Sequence, residues 1–213
     1  MKMNGTTLDV KSRQSVNTYE DCEYENIILN VSNSSKLTIT RMLSTNLDIT
    51  LDNSQLLLNY VKGNMKVNAT SGTVYLSGVG ENHELASEKY NNNEVITNVK
   101  LYNKGSACKI EAVDSKINDL LVSQEGGFIN ISKSTITTGS INATDTETID
   151  LIDLQGNQID LFIHNVKQTF IIDAEKNTGI KYVIKTIDTL SFARLLADSE
   201  VVTVINEAVE PNE

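Results

Sequence analysis

Five carboxylates lie close together in the second half of the chain: Asp145, Glu147, Asp150, Asp153 and Asp160. Acids in such a group could cleave a polysaccharide, since glycoside hydrolysis needs two carboxyls held about 5 to 9.5 Å apart in a groove. If successive strands stack on one another, Asp150 and Asp160 could come together, with Asp153 on the same carboxylate face. The chain contains no tryptophan and only 5% aromatic residues, which leaves little surface on which a sugar ring could stack. The expected role of these acids is therefore a solvated face that keeps a β-rich protein soluble.

A second cluster, His83, Glu84 and Glu88, could hold a metal if it lay on one face of a short helix. Its spacing is not HExxH, and His164 is the only other histidine, so one chain cannot build a multi-histidine zinc site. A solvated polar loop is expected, with no metal and no cofactor. His164, following Leu161-Phe162-Ile163, reads as a structural residue at a strand end. No GxSxG motif and no phosphate-binding glycine loop occurs. Cys22 and Cys108 lie far apart in no metal-binding spacing, and are expected to be reduced thiols, one or both buried. No catalytic residue is assigned, and the chain is expected not to be an enzyme.

The net charge of −10 is spread along 213 residues. An acidic surface repels phosphate backbones and anionic lipid, so neither nucleic acid nor membrane is expected as a partner. No apolar run approaches the roughly 18 residues of a membrane span, and Met1 to Gly5 leads into polar residues without the apolar core of a secretory signal. A virion or cytoplasmic location follows as the expectation. The sequons at Asn30, Asn68 and Asn142 read as chance in a chain this rich in Asn, Ser and Thr.

The elements that must position these residues announce themselves by spacing. Leading apolar residues fall at Leu37, Leu47, Leu56, Met65 and Val74, in steps of nine or ten, each opening a brief alternating strand. Breaks such as Asp52-Asn53-Ser54 and Lys62-Gly63-Asn64 separate them with turn-forming residues. The pattern starts at Ile27, pauses over 81–93, and resumes from Val95 to Ile187. Residues 1–26 are expected to form an N-terminal arm or cap, 27–187 the body, and 188–213 a C-terminal cap of helix, strand and acidic tail. In that cap Asp188 or Thr189 would start a helix burying Leu190, Ala193, Leu196 and Ala197. The pause at 81–93 reads as a loop with a short helix. It is the expected contact site, through His83, Glu84, Glu88 and Tyr90.

Short strands at so constant a step, with almost no Asn-Gly or Asp-Gly hairpin signal, favour an all-β parallel solenoid over an antiparallel sandwich or jelly roll. Over residues 27–186 the chain resembles β-solenoid proteins at the level of architecture, without the motifs of any one family. With three strands to a coil, the body would have roughly five coils and a length of about 24 Å. Such a build favours a non-enzymatic structural or attachment protein with protein partners in a larger assembly, a phage particle above all, and a homotrimer suits it. Two alternatives follow from the same residues: an acidic module occupying a basic site on a partner, as a DNA mimic does, and a carbohydrate-active β-helix.

Overall fold

The structure, a computed structural model, describes residues 4–92, 94–173, 179–197 and 202–204. Its strands are β1 (Asn4–Arg13), β2 (Val16–Glu20), β3 (Glu23–Ser32), β4 (Lys36–Asp52), β5 (Gln55–Thr70) and β6 (Thr73–Ser77). After the short helix α1 (Glu88–Asn91) come β7 (Asn98–Lys104), β8 (Lys109–Val113), β9 (Lys116–Glu125), β10 (Phe128–Thr144), β11 (Thr148–His164), β12 (Thr169–Asp173) and β13 (Lys181–Ile187). Helix α2 (Thr189–Ala193), β14 (Leu195–Ala197) and β15 (Val202–Val204) complete the order. Every recorded strand pairing is parallel. The chain winds as a β-solenoid of about 9 turns.

Each coil contributes one rung to each of two ladders. The first ladder joins β1, β3, the second halves of β4 and β5, β7, β9, the second halves of β10 and β11, β13 and β15. The second joins β2, the first halves of β4 and β5, β6, β8, the first halves of β10 and β11, β12 and β14. The expectation of five coils is thus corrected to about nine, with a shorter third run between the two ladders that pairs Met42 with Val61 and Ile136 with Ile117 and Gly156. At about 4.8 Å per rung the body is about 43 Å long.

Alternation puts one apolar set inside. In the first ladder Leu29, Ile49, Val67, Leu101, Val122, Ile141, Leu161 and Ile184 stack in register and are buried. In the second, Ile39, Leu58, Leu76, Ala112, Ile131, Leu151 and Ile172 do the same. Branched aliphatic side chains fit such columns because each packs against its counterpart a rung away. Cys22 and Cys108 are free and buried.

Four strands, β4, β5, β10 and β11, reach 16 or 17 residues because they run through a corner. There one residue takes a left-handed conformation and bends the chain: Arg41 (φ 52°), Tyr60 (φ 52°), Lys133 (φ 48°) and Asp153 (φ 56°). Gly139 is an inward rung, in register with Leu120 and Ile159. Buried serines seal other corners. The Ser35 hydroxyl donates to the Ser32 carbonyl at 2.7 Å and accepts the Ser15 N–H at 3.2 Å, while the Ser35 N–H donates to Ser54 Oγ at 3.2 Å. Ser115 and Ser134 repeat the arrangement at another corner.

At the N-terminal end, in the segment expected to be an arm or cap, β1 pairs with β3 and β2 with β4. At the other end Asp188 caps α2, but the helix is shorter than expected and buries Ser191. Leu190 and Leu196 are 62% and 61% exposed, and Leu195–Ala197 form strand β14 against β12 rather than a further helical turn. The acidic tail lies outside the described residues. Among those described, no helix is long and apolar enough to cross a membrane.

Candidate functional site

A long departure from the coil lies between β6 and β7. Val67 and Leu101 are neighbours in the ladder although they are 34 residues apart in sequence, whereas Ile49 and Val67 are 18 apart. The extra chain includes the segment that the sequence marks as 81–93. It folds down on the corner at Tyr60 and Gly78, where a Cβ on Gly78 would come within 2.4 Å of the Tyr60 ring. Ser87 caps α1, accepting the Tyr90 N–H at 3.1 Å.

Tyr90, expected as a surface contact, is instead a plug, 2% exposed. Its hydroxyl lies 2.7 Å from the Tyr60 carbonyl oxygen and 2.9 Å from that of Glu81. Burial, with Glu81 nearby, pushes its phenol pKa well up, so the ring stays neutral. Beneath it lies Lys62, also buried, whose ammonium donates to Asn82 Oδ1 at 2.6 Å and to the Tyr90 carbonyl at 3.0 Å. Burial lowers the pKa of this amine, and Lys116 adds to the effect against the opposing pull of Glu81.

His83 is committed locally. Its ring meets the Tyr60 ring edge-on at 4.3 Å, its Nδ1 accepts the Leu85 N–H at 3.1 Å, and Asn91 brackets its backbone. Glu84 and Glu88 are exposed. The outer side of the insertion is tied to β3 by Glu23, which accepts from Ser87 at 3.3 Å and Lys89 at 2.6 Å. Among the described residues no group of three or more His, Cys, Asp or Glu could hold a metal ion. A cleft of about 610 Å3 remains between the insertion and the coil, lined by Lys62, Asn82, Glu94, Lys116, Asn118 and Thr137 among others.

The acids of the second half do not assemble. Asp150 lies in the second ladder between Asn130 and Ile171, and Asp160 in the first between Ser140 and Val183. The stacking expected to bring them together is ruled out, because ten residues amount to half a coil. Asp153 occupies the corner between the two ladders. Asp160 is paired with Lys185 and accepts from Gln158 at 2.7 Å; burial opposes ionisation there, but these bonds prevail and its pKa falls. One oxygen of Asp150 is buried without a partner, and burial raises the pKa of that carboxyl. His164 stands 3.9 Å from Asp188.

Sequence reasoning missed Lys62, which reads as part of a polar break with Gly63 and Asn64 yet lies inside. No local signal marks it, since a polar residue before a glycine reads as a turn. No family model, no curated protein and no solved structure matches this chain.

Proposed function

We propose that this chain is a non-enzymatic structural and attachment protein, a rigid spacer in a larger assembly, with a phage particle as the setting that suits it best. The observation that carries the reading is the ladder itself, which runs from β1 to β15 as one hydrogen-bonded sheet over a single apolar cluster. A solenoid of this kind resists bending because each rung is held along its length by the next. A fixed length of about 43 Å is what a spacer supplies. The insertion, strapped to the coil by Tyr90, Lys62 and Glu23, offers Glu84, Glu88 and the 70% exposed Leu85 as a rigid lateral contact. Protein partners, and a homotrimer built around parallel rods, belong to the same proposal.

The test is to raise antibodies against the chain and label purified native particles in electron micrographs, with light scattering of the isolated protein to count subunits. Regular labelling at a fixed site is expected. A strictly monomeric protein, recovered only free and never on a particle or surface, would overturn the reading.

A further inference from the structure

Two columns of polar side chains run along the outside of the first ladder, and the fold treats them differently. In one the amides bond to each other: Asn46 donates to Asn26 at 3.0 Å, Asn98 to Asn64 at 2.9 Å and Asn118 to Asn98 at 3.1 Å. The other stacks Asn30, Thr50, Asn68, Tyr102, Ser123 and Asn142 in register on successive coils. None of these six side chains hydrogen-bonds to another described residue. Their donors and acceptors face solvent at the spacing of the rungs, about 4.8 Å, on a backbone that does not yield.

Two shallow depressions, about 400 and 340 Å3, run beside this column and meet at Thr50. Tyr102 stands in the larger one, 37% exposed, offering an aromatic face and a hydroxyl. Beside it Lys104 and Glu125 pair at 2.8 Å, while Lys11, Arg13 and Asp52 line the smaller one. We infer that this trough binds a neutral polysaccharide laid along the solenoid axis, with amides and hydroxyls meeting sugar hydroxyls rung by rung and Tyr102 stacking on a ring.

The chemistry selects this ligand over others. An added peptide strand docks on a sheet edge, whereas the trough lies on a sheet face. Nucleic acid would meet a chain of net charge −10. The backbone that carries these groups already sets their spacing, which favours a repeating polymer. The inference goes beyond the spacer role and does not depend on it.

Native gel electrophoresis of the full chain through soluble dextran, laminarin, galactomannan and hydroxyethyl cellulose tests it, with alginate as the acidic control. Retardation in at least one neutral gel is expected. Tyr102→Ala, and separately Asn68→Ala with Asn142→Ala, should weaken it about tenfold while the melting temperature stays unchanged. No retardation in any neutral gel, retardation by alginate alone, or equal retardation of both variants and the parent would overturn the assignment.

Discussion

The ammonium of Lys62 sits 4.6 Å from the centroid of the Tyr90 ring and donates to the carbonyl oxygen of the same residue. One buried cation thus holds both the side chain and the backbone of the residue that plugs the insertion onto the coil.

Lys62→Met keeps the stem but removes the donor, leaving the Tyr90 carbonyl and Asn82 without this bond. The insertion should open more often while the ladder stays intact. Limited proteolysis within 81–93 should quicken at least about tenfold, since two hydrogen bonds from a charged group are lost. Cleavage at the parent rate, with an unchanged pattern, would show that Tyr90 holds the insertion without Lys62.

Ser35 is 1% exposed and serves three bonds at its corner, so Ser35→Ala removes the hydroxyl that donates to the Ser32 carbonyl and accepts the Ser15 N–H. Each such bond contributes about 0.5 to 1.5 kcal/mol. The urea midpoint should fall accordingly with the slope unchanged. The matched control is Thr50→Ala, which removes an exposed hydroxyl and should stay within about 0.5 kcal/mol of the parent.

Gly156 takes φ 150°, and a Cβ there would lie 1.7 Å from the Ile136 carbonyl oxygen. That oxygen is backbone in the adjacent rung and cannot swing aside. Gly156→Ala should therefore cost more than about 2 kcal/mol, read as a lowered denaturant midpoint. Gly139→Ala, where the nearest contact is a side-chain carbon at 3.3 Å, should cost clearly less.

How much of this was legible follows from the period. Steps of nine or ten identify a strand plus a turn, but not how many turns close a coil. That number depends on corners such as Arg41 and Tyr60, whose left-handed backbone no local residue type announces. Leu37 stacks on Leu56, and Leu47 on Met65, so two steps make one coil. The same count explains why Asp150 and Asp160 part company. It also places Asn30, Asn68 and Asn142, the asparagines of the three sequons, in one outward column. Lys62 was hidden because a polar residue beside a glycine reads as a turn, and only the folded insertion gives its amine acceptors.

Asp188 joins α2 to the preceding coil, accepting the Asn165 N–H at 2.7 Å and the Leu190 and Ser191 N–H groups at 3.1 and 3.0 Å. Burial alone would raise its pKa, but the bonds from Ser191 and Asn165, with His164 nearby, hold it at about 2. A depressed folded pKa stabilises the fold above the unfolded value near 4, and that stability is lost as pH falls toward 2. Asp188→Ala should thus cost about 2 kcal/mol at neutral pH, with parent and variant converging in thermal melts below about pH 2. A gap that persists undiminished there would assign the effect to packing.

Asp150 should behave in the opposite sense. Its carboxyl has one buried oxygen without a partner, and burial raises its pKa. A raised carboxyl pKa leaves stability untouched below the unfolded value near 4, subtracts from it progressively as pH rises above that value, and takes its full toll once pH exceeds the folded value. Asp150→Asn removes the charge that the site disfavours, so it should stabilise the protein at pH 7. The gain should shrink to nothing as melts are taken into acid below about pH 4. A variant less stable than the parent at pH 7 would mean that the ionised carboxylate is held by a contact the ladder does not supply, such as a partner chain packed against this face.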